Sequence, residues 1–218
     1  MSREDQVADY WTYKTMSVPP VLVRLPDGSM QKIHAIHLPD DLDQELQSWD
    51  MAFKDLATSD YVAGQVWGAK GANRFLLDQK RERLGFPETV AALKAMTKKW
   101  PKASLKLVED KANGPAVIQS LRHEIAGMVA VVPDGGKVAR AQAVSPQVES
   151  GNVYLPHPAI APWVEAFVDE LATFPNGKHD DQVDAFSQAL NRLRTIVTPP
   201  RYFPPMSSLP SGDRGWMV

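Results

Sequence analysis

Three strand-like segments follow one another with only short breaks between them, and they constrain the fold of this chain more than any other feature. They cover residues 46–53, 61–68 and 74–80, and each is rich in apolar and aromatic residues. Strands that are joined by short turns pair with their neighbours in the sequence. The sequence therefore predicts an antiparallel meander, around which the rest of the core must be built.

Helical and strand-like patterns alternate after the meander. The order of the first seven core elements is β-β-β-α-β-α-β, which predicts an α/β fold with a mixed five-stranded sheet and helices on both faces. The fifth strand is nearly all apolar, as expected of a strand that is buried on both faces. The predicted strands after the meander are 105–109, 128–132 and a short piece at 152–155, and the predicted helices are 87–100, 115–125, 137–149, 162–171 and 180–197.

Two segments with little periodicity flank the predicted core at residues 44–197. Residues 1–43 are expected to form an irregular lead-in, in which the runs at 21–23 and 33–36 could pair as a hairpin. Residues 198–218 contain five prolines, which is typical of a mobile tail. No apolar run approaches the roughly 20 residues that span a bilayer, and no signal peptide is expected behind the charged N-terminus.

Composition excludes few classes of function. The chain has no cysteine, so it has no disulfides and no thiolate metal sites, which suits a reducing compartment. Lysine and arginine total 24 against 26 acidic residues. This balance does not exclude a nucleic-acid partner, because the acids of an active site offset cations that are gathered on one side of the molecule.

Carboxylates occur at three places where a plain structural element would not need them. Asp50 lies inside a strand-like run, where an unpaired buried charge costs several kcal/mol. Glu109 and Asp110 follow a clean strand pattern, and Asp181 and Asp184 are three residues apart and share one face of the last helix. Each has a simpler interpretation: a solvent-facing edge position, a polar strand end, and first-turn acids that are favoured by the helix dipole.

If the fold brings these acids together, they form an oxygen-only site that suits Mg²⁺ or Mn²⁺. Two such ions can activate a water and stabilise the leaving oxygen of a phosphodiester. A nucleophilic serine, thiol or histidine triad is then not required. The ordered set of acids therefore predicts two-metal phosphodiester hydrolysis.

Five short motifs occur in order along the core. They are WDMAFKD at 49–55, SDY at 59–61, VEDKANG at 108–114, GNVYLP at 151–156 and FPNGKHDDQVDA at 174–185. Together they resemble the nuclease domain of the large terminase subunits of tailed bacteriophages, over roughly residues 45–195. The resemblance implies an RNase H-like fold, related to that of Holliday-junction resolvases, and metal-dependent cleavage of concatemeric double-stranded DNA during genome packaging.

The resemblance also implies roles for individual residues and partners. Glu109 is favoured over Asp110 as the fourth-strand ligand, because neighbours on a strand point to opposite faces. The implied partners are double-stranded DNA, a portal protein, a small terminase subunit and an ATPase motor, in the cytoplasm of a bacterial host. The implied metal ligands are Asp50, Glu109 or Asp110, Asp181 and Asp184, and the candidate phosphate contacts are Lys111, Lys137 and Arg140.

One departure from the family pattern leaves alternatives open. Residues 1–45 lack the Gly-x-x-x-x-Gly-Lys-Ser/Thr phosphate loop of a terminase motor, so ATP hydrolysis by this chain alone is not predicted. The chain is then an excised domain, a separately encoded nuclease half or a prophage remnant. Two other functions remain: a Holliday-junction-resolvase-like nuclease, and a non-catalytic docking module for the portal or the small terminase subunit.

Overall fold

One mixed sheet of eight strands organises the chain. The computed structural model describes residues 9–25, 27–51, 61–110 and 114–195. The strands are β1 Asp9–Thr12, β2 Val21–Arg24, β3 Met30–Ile33, β4 Ile36–His37, β5 Gln44–Met51, β6 Val62–Lys70, β7 Asn73–Glu82, β8 Ala103–Glu109, β9 Met128–Val131 and β10 Val153–Pro156. The helices are α1 Phe86–Lys99, α2 Gly114–Leu121, α3 Lys137–Glu149, α4 Val164–Thr173 and α5 Asp181–Thr195.

The predicted α/β fold with a mixed sheet is confirmed. β5, β6 and β7 form the antiparallel meander, and β8 pairs parallel to the free side of β5. β9 then pairs parallel to β8. The five predicted strands are therefore adjacent, within the full order β4-β1-β10-β7-β6-β5-β8-β9.

Three further strands extend the sheet beyond the predicted five. β10 pairs parallel to β7, β1 pairs parallel to β10, and β4 pairs parallel to β1. β1 lies in the lead-in that the sequence predicts to be irregular, and its Trp11 is buried and donates an indole hydrogen bond of 2.9 Å to the carbonyl of Leu76. β2 and β3 form a separate hairpin, close to the expected pairing. Residues 1–8 and the proline-rich tail at 198–218 lie outside the described residues.

β9 does not lie where its apolar sequence indicates. It is the last strand at one edge of the sheet, and none of its four residues is buried. The expectation of a strand covered on both faces is therefore wrong. An edge strand is open along its unpaired side, so its residues are only partly covered. An apolar run alone therefore does not indicate a central position in the sheet.

Helices cover both faces of the sheet, and each face has its own apolar core. α1 and α2 supply Leu93 and Val117 to the core that contains Trp49 and Val108. α3, α4 and α5 pack on the other face, where Leu46 and Leu107 lie. Successive residues of a strand point to opposite faces. Residues 48 and 50 of β5 and residue 109 of β8 therefore share the face that α5 covers.

No helix in the described ranges combines the length and the apolar character that crossing a membrane requires.

Candidate metal centre

Helix α5 is held against the ends of β5 and β8 by polar contacts. The Ser48 hydroxyl donates to the carbonyl of Ala185 at 2.7 Å, and the side-chain amide of Gln188 donates to the same hydroxyl oxygen at 2.9 Å. Ser48 is small, which lets the helix backbone approach the strand. These contacts set the first turns of α5 beside the carboxyl ends of two parallel strands, where open α/β sheets commonly bind ligands.

Three of the predicted ligands meet at this point. Asp50, Glu109 and Asp184 each offer a carboxylate oxygen, and these oxygens lie within 4.8 Å of one another. Asp184 is only 5% exposed and Asp50 9%. The three residues come from two neighbouring strands and one helix, so only the folded chain brings them together.

The two other predicted ligands lie outside this group of three. Asp110 is exposed, and its backbone N–H donates to the carbonyl of Val131 at 2.8 Å. It follows Glu109 directly, so strand alternation turns it away from α5. Asp181 opens α5, is 4% exposed and lies close enough for its charge to affect Asp50.

The carboxylates of the site are buried close together and repel one another when they are ionised. Burial raises the pKa of Asp50 well above its ordinary value, and the negative charges of Asp184, Glu109 and Asp181 raise it further, while Lys137 opposes the shift. Like charges that are confined in a poorly hydrated space favour a proton or a cation between them. The donor set consists of carboxylate oxygens, which are the ligands that Mg²⁺ and Mn²⁺ prefer. The residues therefore fit a divalent cation.

Two cations from the start of α3 contact the same site. The Nζ atom of Lys137 lies 2.7 Å from Oδ2 of Asp184 and 2.7 Å from Oδ1 of Asp180. Arg140 donates from Nη2 to Oδ1 of Asp184 at 2.6 Å. Burial alone would lower the pKa of Lys137, but its hydrogen bonds to Asp180 and Asp184 outweigh burial and raise it.

Two of the three predicted phosphate contacts lie in the part of the chain that the structure describes. Lys137 and Arg140 lie at the acids, paired with carboxylates of α5. Lys111 lies outside the described residues. Gly114 begins α2 close behind it, where an added Cβ would lie 2.0 Å from the carbonyl oxygen of Glu109. A glycine is therefore required at position 114, because any side chain there would collide with the backbone of Glu109.

A buried polar network, which the sequence reasoning missed, fixes the start of α5. Glu170 accepts hydrogen bonds from the backbone N–H of Gln182 at 2.7 Å and from its side-chain amide at 2.6 Å. Arg81 reaches the same carboxylate at 2.8 Å. From the strands, Gln79 donates to the amide oxygen of Gln182 and Gln65 to its backbone carbonyl. The signal in the sequence is Gln65, which stands inside an otherwise apolar strand.

A cleft of about 670 Å³ opens from the acids. Glu109 and Asp184 form one part of its wall, together with residues of β9, the loop after it and α3. Arg140, Arg192 and Arg194 also line the cleft, together with Asp134, so three arginines face the same space as the candidate metal ligands.

The model of a known family matches more than half of the chain. The model of a family described as the terminase RNase H-like domain matches residues 47–193. This range begins in β5, ends in α5 and contains Asp50, Glu109, Asp181 and Asp184. No curated protein matches the sequence.

Solved structures of similar fold come from phage terminases. The large terminase nuclease of thermophilic phage G20c has a TM-score of 0.55 and 15% identity, over 87% of this chain and 95% of that one. The nuclease domain of the large terminase of bacteriophage SPP1, with bound Mn, has a TM-score of 0.51 and 15% identity, over 69% and 87%. The G20c nuclease has also been solved with bound magnesium, at 16% identity, a TM-score of 0.55 and coverage of 85% and 93%.

The large terminase of another thermophilic bacteriophage matches over part of its length only. Its TM-score is 0.55 at 14% identity, and the match covers 72% of this chain but 42% of that one. The chain therefore spans less than half of that large terminase. At these identities the structural likeness shows a shared fold.

Proposed function

The chain belongs to the family of terminase RNase H-like domains, and we propose that it is the nuclease domain of a phage large terminase subunit. Its reaction is metal-dependent endonucleolytic hydrolysis of concatemeric double-stranded DNA during genome packaging. The observation that carries the proposal is the meeting of Asp50, Glu109 and Asp184 within 4.8 Å, at the ends of two parallel strands and under a buried helix.

The chemistry follows from these three side chains. Asp50, Glu109 and Asp184 would hold divalent cations, either Mg²⁺ or Mn²⁺, with Asp181 one turn earlier on α5 as a further acid. Two bound cations would supply an activated water and neutralise the charge that develops on the leaving oxygen of the phosphodiester. The chain itself contributes a rigid, poorly hydrated frame, in which the electrostatic interactions of the reacting phosphate are stronger than in water.

The cleft beside the acids gives the DNA strand a path. Arg140, Arg192 and Arg194 line it, and Lys137 lies at its metal end. Most protein–DNA hydrogen bonds go to phosphate and sugar, and such contacts set the register of the strand. A backbone that runs along this cleft would present one phosphate to the acids and neighbouring phosphates to the arginines.

The partners of the chain follow from the part of a large terminase that it matches. A chain that covers 42% of a large terminase leaves room in that protein for other domains, which supports an ATPase motor as the assembly partner of this nuclease. Another structure of that large terminase contains ADP. Portal protein and small terminase subunit complete the proposed packaging assembly, in the cytoplasm of a bacterial host.

The test is cleavage of supercoiled plasmid by the purified chain with Mn²⁺, Mg²⁺ or EDTA. We expect metal-dependent nicking and linearisation, and Asp184→Asn should slow it about 100-fold or more, because a metal ligand supports several kcal/mol of transition-state stabilisation. Asp41→Asn is the matched control, since Asp41 is exposed and precedes the opposite end of β5.

Three outcomes would contradict the proposal. Equal cutting by the Asp184→Asn variant would remove the assigned site. Strong preference for a four-way junction over linear duplex would favour a resolvase-like nuclease. Absence of both cutting and Mn²⁺ binding would favour a docking module.

A further inference from the structure

Both carboxylate oxygens of Asp184 are already engaged by cations. Lys137 lies 2.7 Å from Oδ2, and Arg140 lies 2.6 Å from Oδ1. Asp184 is also one of the three residues that converge on the candidate metal position. A divalent cation that binds there must therefore compete with two positive charges for the same side chain.

The helix that carries these cations is built to hold them in place. Lys137 and Arg140 are three residues apart, so they lie on one face of α3. Arg140 also donates from Nη1 to the carbonyl of Gly135 at 3.1 Å, and its own carbonyl accepts from Asn191 of α5 at 3.3 Å. Further along, Arg194 of α5 donates to the carbonyl of Ala143 at 3.2 Å. α3 is thus tied at several points along its length to α5, the helix that carries Asp184.

The two cations differ in how easily they can leave. The Arg140 side chain is 12% exposed, whereas that of Lys137 is 48% exposed and is held by the partly exposed Asp180 as well as by Asp184. A lysine ammonium on a flexible stem can swing into solvent, whereas a planar guanidinium is fixed by several hydrogen bonds. Lys137 is therefore the side chain that moves first, and Arg140 is the more permanent one.

We propose that Lys137 and Arg140 form a cationic latch that neutralises Asp184 in the metal-free protein and that a divalent cation must displace. Once displaced, the Lys137 ammonium lies at the metal end of the cleft, where it meets a phosphate of the strand. This last step rests on the proposed nuclease function, whereas the competition between latch and cation does not.

The latch has two consequences of opposite sign. It stabilises the metal-free fold, because without it a carboxylate that is 5% exposed would lie uncompensated beside Asp50 and Glu109. It weakens metal binding, because the incoming cation must break ion pairs and approach like charges. An ordinary structural salt bridge would produce the first effect without the second.

Calorimetric titration of the full chain with Mn²⁺ alone tests the proposal, together with thermal melts in EDTA and in Mn²⁺. For Lys137→Gln and for Arg140→Gln we expect Mn²⁺ to bind about 5- to 30-fold more tightly, since each variant removes one competing charge from a partly buried site. In EDTA, both variants should melt at a lower temperature than the wild type. Addition of Mn²⁺ should raise the melting temperature of both variants by more than it raises that of the wild type.

The matched control is Lys94→Gln. Lys94 makes an exposed ion pair with Glu124, at 2.6 Å, on the face of the sheet that α1 covers. Its loss should leave Mn²⁺ affinity unchanged. Arg140→Lys serves as a second variant if Arg140→Gln does not fold, and it should retain part of the competition.

Unchanged or weaker Mn²⁺ binding in the Lys137 and Arg140 variants would overturn the latch, since the two cations would then support the metal site or be indifferent to it. Failure of the wild type to cut DNA would count against the proposed nuclease function only. The binding and melting measurements do not depend on cutting, so the two failures can be told apart.

Discussion

Asp50 is the side chain of the site on which burial and neighbouring negative charges act together. It is 9% exposed, and burial together with the charges of Asp184, Glu109 and Asp181 raises its pKa. In the metal-free protein there is therefore a range of pH in which the folded state holds a proton on Asp50 and the unfolded state has released it. Between the unfolded and the folded pKa, stability falls as pH rises, and above the folded pKa the loss is complete.

Replacement of Asp50 by Asn therefore has a pH-dependent effect on stability. In EDTA at pH 8, we expect Asp50→Asn to have a higher free energy of unfolding than the wild type, because an asparagine neither carries a charge nor takes up a proton when it is buried. The difference should shrink as pH falls toward 4, where wild-type Asp50 is protonated. Urea denaturation at several pH values measures it, and a variant that is less stable than the wild type at pH 8 would contradict the charge assignment.

Glu109 and Asp110 offer a matched pair of substitutions on adjacent positions. Glu109 points toward α5 and lies with Asp50 and Asp184 in the group of three acids, whereas Asp110 is exposed. Glu109→Gln should weaken Mn²⁺ binding at least about tenfold, in line with the sensitivity of metal sites to their ligands. Asp110→Asn should leave binding unchanged. Calorimetry decides between them, and the reverse pattern would make Asp110 the ligand.

At the scale of a single element, α5 depends on contacts that lie away from the acids. Glu170 of α4 accepts two hydrogen bonds from Gln182 and pairs with Arg81 of β7. The carboxylate lies at the positive end of the α5 dipole, which favours a negative charge. This network sets the angle at which α5 presents its acids to the strands.

Glu170→Gln should therefore weaken metal binding, although Glu170 is not one of the candidate metal ligands. We expect the free energy of unfolding to fall by about 2–4 kcal/mol, because Arg81 loses its buried partner. Mn²⁺ affinity should also fall, since Asp184 moves with α5, and this second readout separates positioning from stability alone. Glu165→Gln on the exposed side of the same helix is the control, and normal Mn²⁺ affinity in Glu170→Gln would refute the positioning role.

The hydrophobic periodicity of the sequence predicts where helices and strands occur better than it predicts which of them pair or pack together. The bounds of α3 agree with the sequence, because glycines flank Lys137–Glu149 on both sides, with Gly136 directly before the helix and Gly151 at positive φ just after it. β9 is at an edge and β1 joins the sheet, and neither could be deduced, since pairing between distant segments leaves no local pattern. Asp50, Glu109 and Asp184 could be found from residue type and position. The ion pairs of Asp184 could not, because they need the packing of α3 on α5.

Across the whole molecule, the local positive charge of the cleft matters more for DNA binding than the net charge of the chain. The net charge is −2, yet Arg140, Arg192 and Arg194 line the cleft that Glu109 and Asp184 also line. A field of this kind attracts a polyanion locally even when the chain as a whole does not.

The affinity of the cleft for DNA should then fall as the salt concentration rises, with a slope set by the number of arginines and lysines that contact phosphates. Arg192→Gln combined with Arg194→Gln should weaken binding to duplex DNA uniformly across sequences and reduce the salt slope by about 2. Fluorescence anisotropy in Ca²⁺ or EDTA, which prevents cutting, measures both. Lys94→Gln with Lys98→Gln on α1, on the other side of the sheet, is the control, and an equal loss there would indicate nonspecific attraction.

The position of β1 has a mechanical meaning. The strand lies between β10 and β4 and runs parallel to both. Tension along the chain at residue 9 would act along two hydrogen-bonded ladders at once, in shear, so that the bonds yield together instead of opening one after another. A segment that is held in this way can transmit traction into the sheet that carries the acids without being peeled from it.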